Sequence, residues 1–232
     1  FCDSSVLLHL LFEVLLRCKI MFYLSLTLLF TLSLSKVHFH EQFDKGFEQR
    51  WVYSEDKSVS HGSFDLIQKT YCPEGDLAIK SINDSSYYHI SSKFSEPLDT
   101  TKSAMFLQYV AHYEQPIACG GAYLKVFSNL DQKSLTGTSD YNIMFGPDVC
   151  GYGTRVIHLI IGHKGKYYPL KEKESFELDT LPHLIQLYIG ADKTFSLKLD
   201  GAVRREGKLE DHFDFLPSKF INDPTDKKPE DW

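Results

Sequence analysis

The stretch that decides the fold opens with Cys119-Gly120-Gly121-Ala122-Tyr123-Leu124-Lys125-Val126-Phe127. It closes with Tyr141-Asn142-Ile143-Met144-Phe145-Gly146-Pro147-Asp148-Val149-Cys150-Gly151. Both halves read as β, and further aromatic and β-branched runs enter over residues 105–113 and leave over residues 155–161. Glycines 120 and 121 admit close approach of backbone or ligand, because no side chain stands in the way. Alternation then places Tyr123 and Lys125 on one strand face and Leu124 and Val126 on the other. A bond between Cys119 and Cys150 would favour the closed loop by roughly 3–4 kcal/mol of chain entropy. So closed, the stretch is a platform presenting Tyr123, Lys125, Tyr141, Met144 and Asp148.

The rest of the chain continues the β pattern. Residues 37–43 alternate like a strand, and residues 51–53 and 63–67 read as short strands around the His61-Gly62 turn. Residues 71–76, with Pro73 and Gly75, read as a loop. Tyr88, Ile90, Ser92 and Phe94 alternate as a half-buried strand. Beyond Cys150, residues 155–163 and 183–188 are apolar β runs, and residues 194–199 pair with the latter through the turn at 190–193. Short strands at regular spacing, with almost no helical periodicity, predict an all-β antiparallel sandwich. At 43% hydrophobic, 232 residues suffice for one sizeable core. A net charge of −6 with no basic stripe argues against nucleic acid as a partner.

Residues 1–36 stand apart. Met21 begins an apolar run ending in small residues, so residues 21–36 read as a signal peptide cleaved near Ser35 or Lys36. Residues 1–20, which do not begin with methionine, read as translation from upstream of the true start. A competing reading makes residues 6–34 one transmembrane helix, but Glu13, Arg17 and Lys19 interrupt it. The mature protein is therefore expected to lack a span. Asn83-Asp84-Ser85 is a glycosylation sequon, or else an unmodified surface turn. His38 and His40 share a strand face, yet no third ligand lies within sequence reach, which favours two solvated histidines over a metal site.

Catalytic patterns are missing. There is no Gly-x-Ser-x-Gly elbow and no Cys-x-x-Cys, and the glycine-lysine run at 162–166 lacks phosphate-loop spacing. Glu210 and Asp211 are adjacent and would diverge on a strand, so they make no glycosidase pair. The expectation is a protein that is not an enzyme. Tyr123 and Tyr141 supply ring faces and hydroxyls, Lys125 a donor, Asp148 an acceptor and Met144 an adaptable apolar contact. Those groups suit a carbohydrate, whose faces are C–H patches and whose edges are hydroxyls. Read without further information, the same residues also fit packing, surface and turn roles.

Three motifs resolve that ambiguity by likeness. The segment 112–127, the run Ile143 to Gly151, and the terminal Ile221-Asn222-Asp223-Pro224-Thr225-Asp226-Lys227-Lys228-Pro229-Glu230-Asp231-Trp232 resemble signatures of the calreticulin and calnexin family, in the family's order. The likeness covers residues 37 to 232, and residues 209–217 lie closer to the calreticulin branch. It implies a legume-lectin-like jelly roll over residues 37–216, incomplete at its C-terminal end, with residues 217–232 beginning a proline-rich arm. It also implies that Cys119 and Cys150 are bonded, leaving Cys72 as a free thiol or one pairing between molecules. The function implied is a calcium-dependent lectin chaperone of the endoplasmic reticulum lumen; the alternative is a calcium-binding protein, or a secreted or cell-surface interaction protein, without glycan-dependent chaperoning. Tyr123, Lys125, Tyr141, Met144 and Asp148 would bind the terminal glucose of monoglucosylated N-glycans on unfolded glycoproteins. A disulfide isomerase would be recruited through the part of the arm beyond this chain. Calcium is the implied cofactor. Gln42 matches one position of the family's structural calcium site, whose loop is shortened here near residues 71–76 and whose carboxylate comes from beyond residue 232.

Overall fold

The computed structural model describes residues 36–69, 72–216 and 225. The expected presequence and nearly all of the expected arm lie outside the described residues. The chain divides into two units, residues 1–40 and 41–232. Of the first, residues 36–40 are described and carry no regular secondary structure.

Two antiparallel sheets dominate the second unit. The four-stranded sheet has the order β14-β13-β12-β5, built from Met105–His112 (β5), Pro182–Ile189 (β12), Thr194–Leu199 (β13) and Ala202–Lys208 (β14). The six-stranded sheet is centred on Ile143–Cys150 (β8) and Thr154–His163 (β9). Cys119–Gly121 (β6) and Leu124–Val126 (β7) share the free edge of β8, while Lys166–Pro169 (β10) and Glu174–Ser175 (β11) share that of β9. Two small pairs complete the unit: Val52–Tyr53 (β1) with Ile90–Ser91 (β4), and Phe64–Gln68 (β2) with Leu77–Ser81 (β3).

The core lies between the two large sheets, as alternation requires. Ile143, Phe145 and Val149 of β8 and Ile157 and Leu159 of β9 meet Ile185, Leu187, Phe195 and Leu197 of the opposing sheet. The intervening positions Met144 and Asp148 of β8, and Val156, His158 and Ile160 of β9, therefore fall on the outer face. The β12–β13 hairpin turns at 190–193 as its sequence predicts, closed by Gly190 N–H donating to the Thr194 carbonyl at 2.8 Å.

Three local expectations are corrected. Residues 37–43 form no strand. Phe43 sits at φ 54 with its N–H donated to Glu41, and its ring stacks on Trp51 with centroids 5.9 Å apart. These contacts hold a turned chain where extension was expected. The alternating run from Tyr88 to Phe94 contributes only Ile90–Ser91 as strand, and there the serine is the buried member. Glu210 and Asp211 lie in one α-helical turn, Leu209–His212 (α1), rather than on a strand. Four strands had no clear signal: β3, β10, β11 and β14.

Candidate carbohydrate-binding face

The outer face of the six-stranded sheet gathers the five residues singled out in the sequence. Lys125 on β7 pairs in register with Met144 on β8, so their side chains are cross-strand neighbours. Four residues along β8, on the same face, Asp148 stands opposite Gly121 of β6. Tyr123 occupies the break between β6 and β7. It is 40% exposed, and its hydroxyl is hydrogen-bonded to Asp148. Burial, and then that carboxylate, push the Tyr123 hydroxyl far above the usual tyrosine range. The phenol thus stays a donor at all ordinary pH values.

The break between β6 and β7 has a structural cause. Ala122 N–H donates to the Pro147 carbonyl on one side. The Ala122 carbonyl accepts the hydroxyl of Tyr109, which reaches across from the other sheet, at 2.6 Å. Room for that hydroxyl exists because residue 146 is glycine, at φ 141. A Cβ there would stand 2.1 Å from the Tyr109 Oη and 2.3 Å from the Ala122 oxygen. Gly121 serves the outer face similarly, since its missing Cβ would fall 2.1 Å from the Tyr123 ring. The close approach expected at Gly121 is that of the Tyr123 ring, while a Cβ at Gly120 would meet only Ile117 Cδ1, at 3.3 Å.

Lys125 is fixed by two contacts. Its Nζ donates to the Gly137 carbonyl at 3.0 Å and lies 4.8 Å from the centroid of the Tyr141 ring. Burial lowers its pKa. Tyr141 precedes β8 and crosses the sheet above Gly162, where a Cβ would lie 2.0 Å from its carbonyl oxygen. The Tyr141 ring also stacks on Tyr167 of β10, with centroids 4.5 Å apart. Tyr141 is consequently a half-buried, doubly contacted ring, rather than an open stacking face.

Four contributing residues were missed by sequence reasoning. His158 donates or accepts through Nε2 at 3.0 Å from Asp148 Oδ2, and its ring lies 6.4 Å from that of Tyr123. Its signal was present in the period-two pattern of β9, where it shares a face with Val156 and Ile160. Tyr109, Gly137 and Tyr167 come from distant segments, and no local pattern marks them.

Cys119 and Cys150 are bonded, directly opposite each other with Cα atoms 3.9 Å apart, and Cys72 is free and exposed. Cys150 lies two residues beyond Asp148, so the bond clamps β6 beside the carboxylate. Asn83 is exposed, and its Oδ1 accepts from Ser63 N–H at 2.9 Å and Ser63 Oγ at 3.1 Å. These bonds do not involve Nδ2, the atom a glycan would join.

The expected calcium position fits poorly. Gln42 is exposed, and the carboxylates flanking it are committed: Glu41 and Asp44 both accept from Arg50 Nη2, at 2.7 and 2.6 Å. Calcium needs six to eight oxygen donors. Among the described residues no group of three His, Cys, Asp or Glu side chains could hold a metal; His38 is half-buried and His40 exposed. Also among the described residues, no helix is long and apolar enough to cross a membrane.

Comparison with known proteins places this architecture. The model of the calreticulin family matches residues 39–232. The chain belongs to the calreticulin family. It is 38% identical over 216 residues to calreticulin of Schistosoma mansoni, covering 89% of this chain and 55% of that protein. Identity to calreticulin of Mus musculus is 41% over 201 residues, covering 84% and 48%. The chain thus spans about half the length of the curated calreticulins it matches. Among solved structures it is similar to the T. cruzi calreticulin globular domain, with a TM-score of 0.73 and 27% identity over 84% of this chain and 74% of that one. The sandwich is therefore the lectin-like β-sandwich of the calreticulin family.

Proposed function

We propose that this chain is a lectin chaperone that binds monoglucosylated N-glycans of folding glycoproteins in the endoplasmic reticulum lumen, without catalysing a reaction. The observation that carries the reading is the convergence of Tyr123, Lys125, Tyr141, Met144 and Asp148 on one sheet face. Tyr123 offers an exposed ring to the C–H face of a hexose, and Met144 adds an apolar contact beside it. Lys125 and Asp148 offer a donor and an acceptor already oriented by Gly137 and His158. A sugar lacking the matching hydroxyl would leave these half-buried polar groups unpaired, which is the basis of selectivity. The family membership supports the chaperone role, and the Cys119–Cys150 bond suits an oxidising compartment.

Titration calorimetry of the full chain with a glucosylated trimannoside tetrasaccharide tests the proposal. Binding is expected for the glucosylated form and not for the trimannoside without glucose. Tyr123→Ala should weaken it by at least about thirtyfold, the equivalent of roughly 2 kcal/mol. Equal binding of both sugars, or undiminished binding by Tyr123→Ala, would overturn the assignment.

A further inference from the structure

Asn83-Asp84-Ser85 is the only Asn-x-Ser or Asn-x-Thr tripeptide in the 232 residues, because Asp131, Met144 and Pro224 stand two places after Asn129, Asn142 and Asn222. By sequence alone it is either a glycan acceptor or a plain surface turn. The structure separates these two roles. Asn83 stands two residues beyond β3, at the open end of the β2–β3 hairpin, and the chain is exposed throughout residues 81–85.

The four polar groups of Asn83 have different fates. Its backbone N–H donates to Tyr88 Oη at 2.7 Å, and its backbone carbonyl accepts from the same hydroxyl at 2.5 Å. Its Oδ1 accepts from both the N–H and the Oγ of Ser63, the residue just before β2. Among the described residues, Nδ2 alone has no partner. Tyr88 is itself held in place. Its ring packs on Phe64 with centroids 5.0 Å apart and fills the space left by Gly62, where a Cβ would lie 2.3 Å from the ring. With Oδ1 turned inward to Ser63, Nδ2 is the end of the amide left for solvent. Closing the hairpin uses only the acceptor oxygen of this side chain. Aspartate would supply that oxygen equally well, and what asparagine adds is Nδ2.

We propose that Asn83 Nδ2 carries an N-linked oligosaccharide. This inference rests on the reading that places the chain in the endoplasmic reticulum lumen. The donor class is an oligosaccharide joined through C1 of an N-acetylhexosamine to a polyprenyl diphosphate. The Nδ2–C1 bond forms and the C1–O bond to the diphosphate breaks. The lipid diphosphate leaves with the bonding electrons, and one Nδ2 proton passes to a base of the transferase. Nothing is oxidised or reduced, and neither Oδ1 nor the backbone of Asn83 is altered, so the bonds to Ser63 and Tyr88 survive. Ile82 and Tyr87, 46% and 57% exposed on the same turn, offer apolar surface to the C–H face of the first sugar.

The test is translation of the full chain with endoplasmic reticulum microsomes, followed by mass analysis before and after an amidase that cleaves the bond between asparagine and sugar. Resistance to added protease shows which chains have entered the lumen. Protease-resistant chains should carry the mass of one oligosaccharide, which the amidase removes, leaving an aspartyl side chain at position 83. Ser85→Ala should abolish the increment. That variant spares the turn, because no hydrogen bond of the Ser85 side chain holds it among the described residues. Asn83→Gln, which keeps an amide but breaks the tripeptide, should abolish the increment as well. Both results are read on the chain as it is made, so they do not depend on how either variant folds. Protected chains without an increment, or an increment that persists in Ser85→Ala, would overturn the site while leaving the compartment reading in place. Chains left open to protease would overturn that reading and the site together.

Discussion

The Glu41 carboxylate gathers donors from three directions. Arg50 donates from Nε and Nη2 at 2.9 and 2.7 Å, Trp51 from Nε1 at 2.9 Å, and Phe43 from its backbone N–H at 2.6 Å. The side chain is 5% exposed. The Arg50 hydrogen bonds above all, opposed by burial, hold its pKa at about 2 instead of 4.5. A depressed carboxylate pKa stabilises the fold above the unfolded value, and that contribution is lost as pH falls from about 4.5 to about 2. Because Arg50 itself is well exposed, the full shift is discounted to about 2 kcal/mol. Glu41→Gln should lose that amount at pH 7 and flatten the stability profile between pH 5 and pH 2. Urea titrations at several pH values would show it. Gly162 is a second single-residue lever. A Cβ 2.0 Å from the Tyr141 oxygen cannot be absorbed by a side-chain rotation, since the obstacle is backbone. Gly162→Ala should cost about 1–3 kcal/mol of stability. It should also weaken tetrasaccharide binding, because Tyr141 must move.

At the scale of elements, the platform depends on β6 and β7 being separate strands that share one neighbour. Two devices maintain this. The Cys119–Cys150 bond clamps β6 to β8 across a sequence separation of 31 residues. Reduction should lower stability by about 3 kcal/mol. Thermal melts with and without reductant measure that, and glycan affinity should fall in parallel as Asp148 loses its fixed neighbour. The Tyr109 hydroxyl, buried between the sheets, satisfies the Ala122 carbonyl at the break. Tyr109→Phe should cost about 1–3 kcal/mol through the unpaired buried carbonyl. Backbone amide exchange of Ala122 and Tyr123 should accelerate more than that of β12. If exchange rose equally everywhere, the hydroxyl would be merely one more core contact.

Across the whole sandwich, one buried charge links the two sheets. Glu174 on β11 belongs to the six-stranded sheet and is 7% exposed. It accepts from Arg205 Nε of β14, in the four-stranded sheet, at 2.7 Å. Arg204 Nη2, also on β14, donates to the adjacent Ser175 carbonyl at 2.8 Å. Deleting one member of a buried pair leaves the other uncompensated, at several kcal/mol. Because both arginines are about a third exposed, Glu174→Ala should cost nearer 2 kcal/mol. Chemical denaturation should register it as a lower midpoint with an unchanged slope, because the surface exposed on unfolding stays the same.

Alternation of apolar and polar residues specified the long strands β5, β8, β9, β12 and β13. A half-buried strand writes its two faces directly into the chain, and burying five such faces together leaves little but a sandwich. The same alternation put Lys125, Met144 and Asp148 on a common side, because cross-strand register only has to align faces that each strand already defines. Short segments were another matter. Residues 37–43 alternate, yet the Glu41–Arg50–Trp51 contacts turn the chain, since a local pattern of seven residues is weaker than three charge-assisted hydrogen bonds. Strands β10 and β11 form where the longer β9 offers them hydrogen-bond partners, and β3 and β14 where a hairpin partner does, since their own sequences carry no sufficient preference. The partners of the site, namely Tyr109 for Ala122, Gly137 for Lys125, His158 for Asp148 and Tyr167 for Tyr141, lie between 10 and 26 residues away along the chain. Such pairings depend on which strands become neighbours, and only the packed sheets settle that.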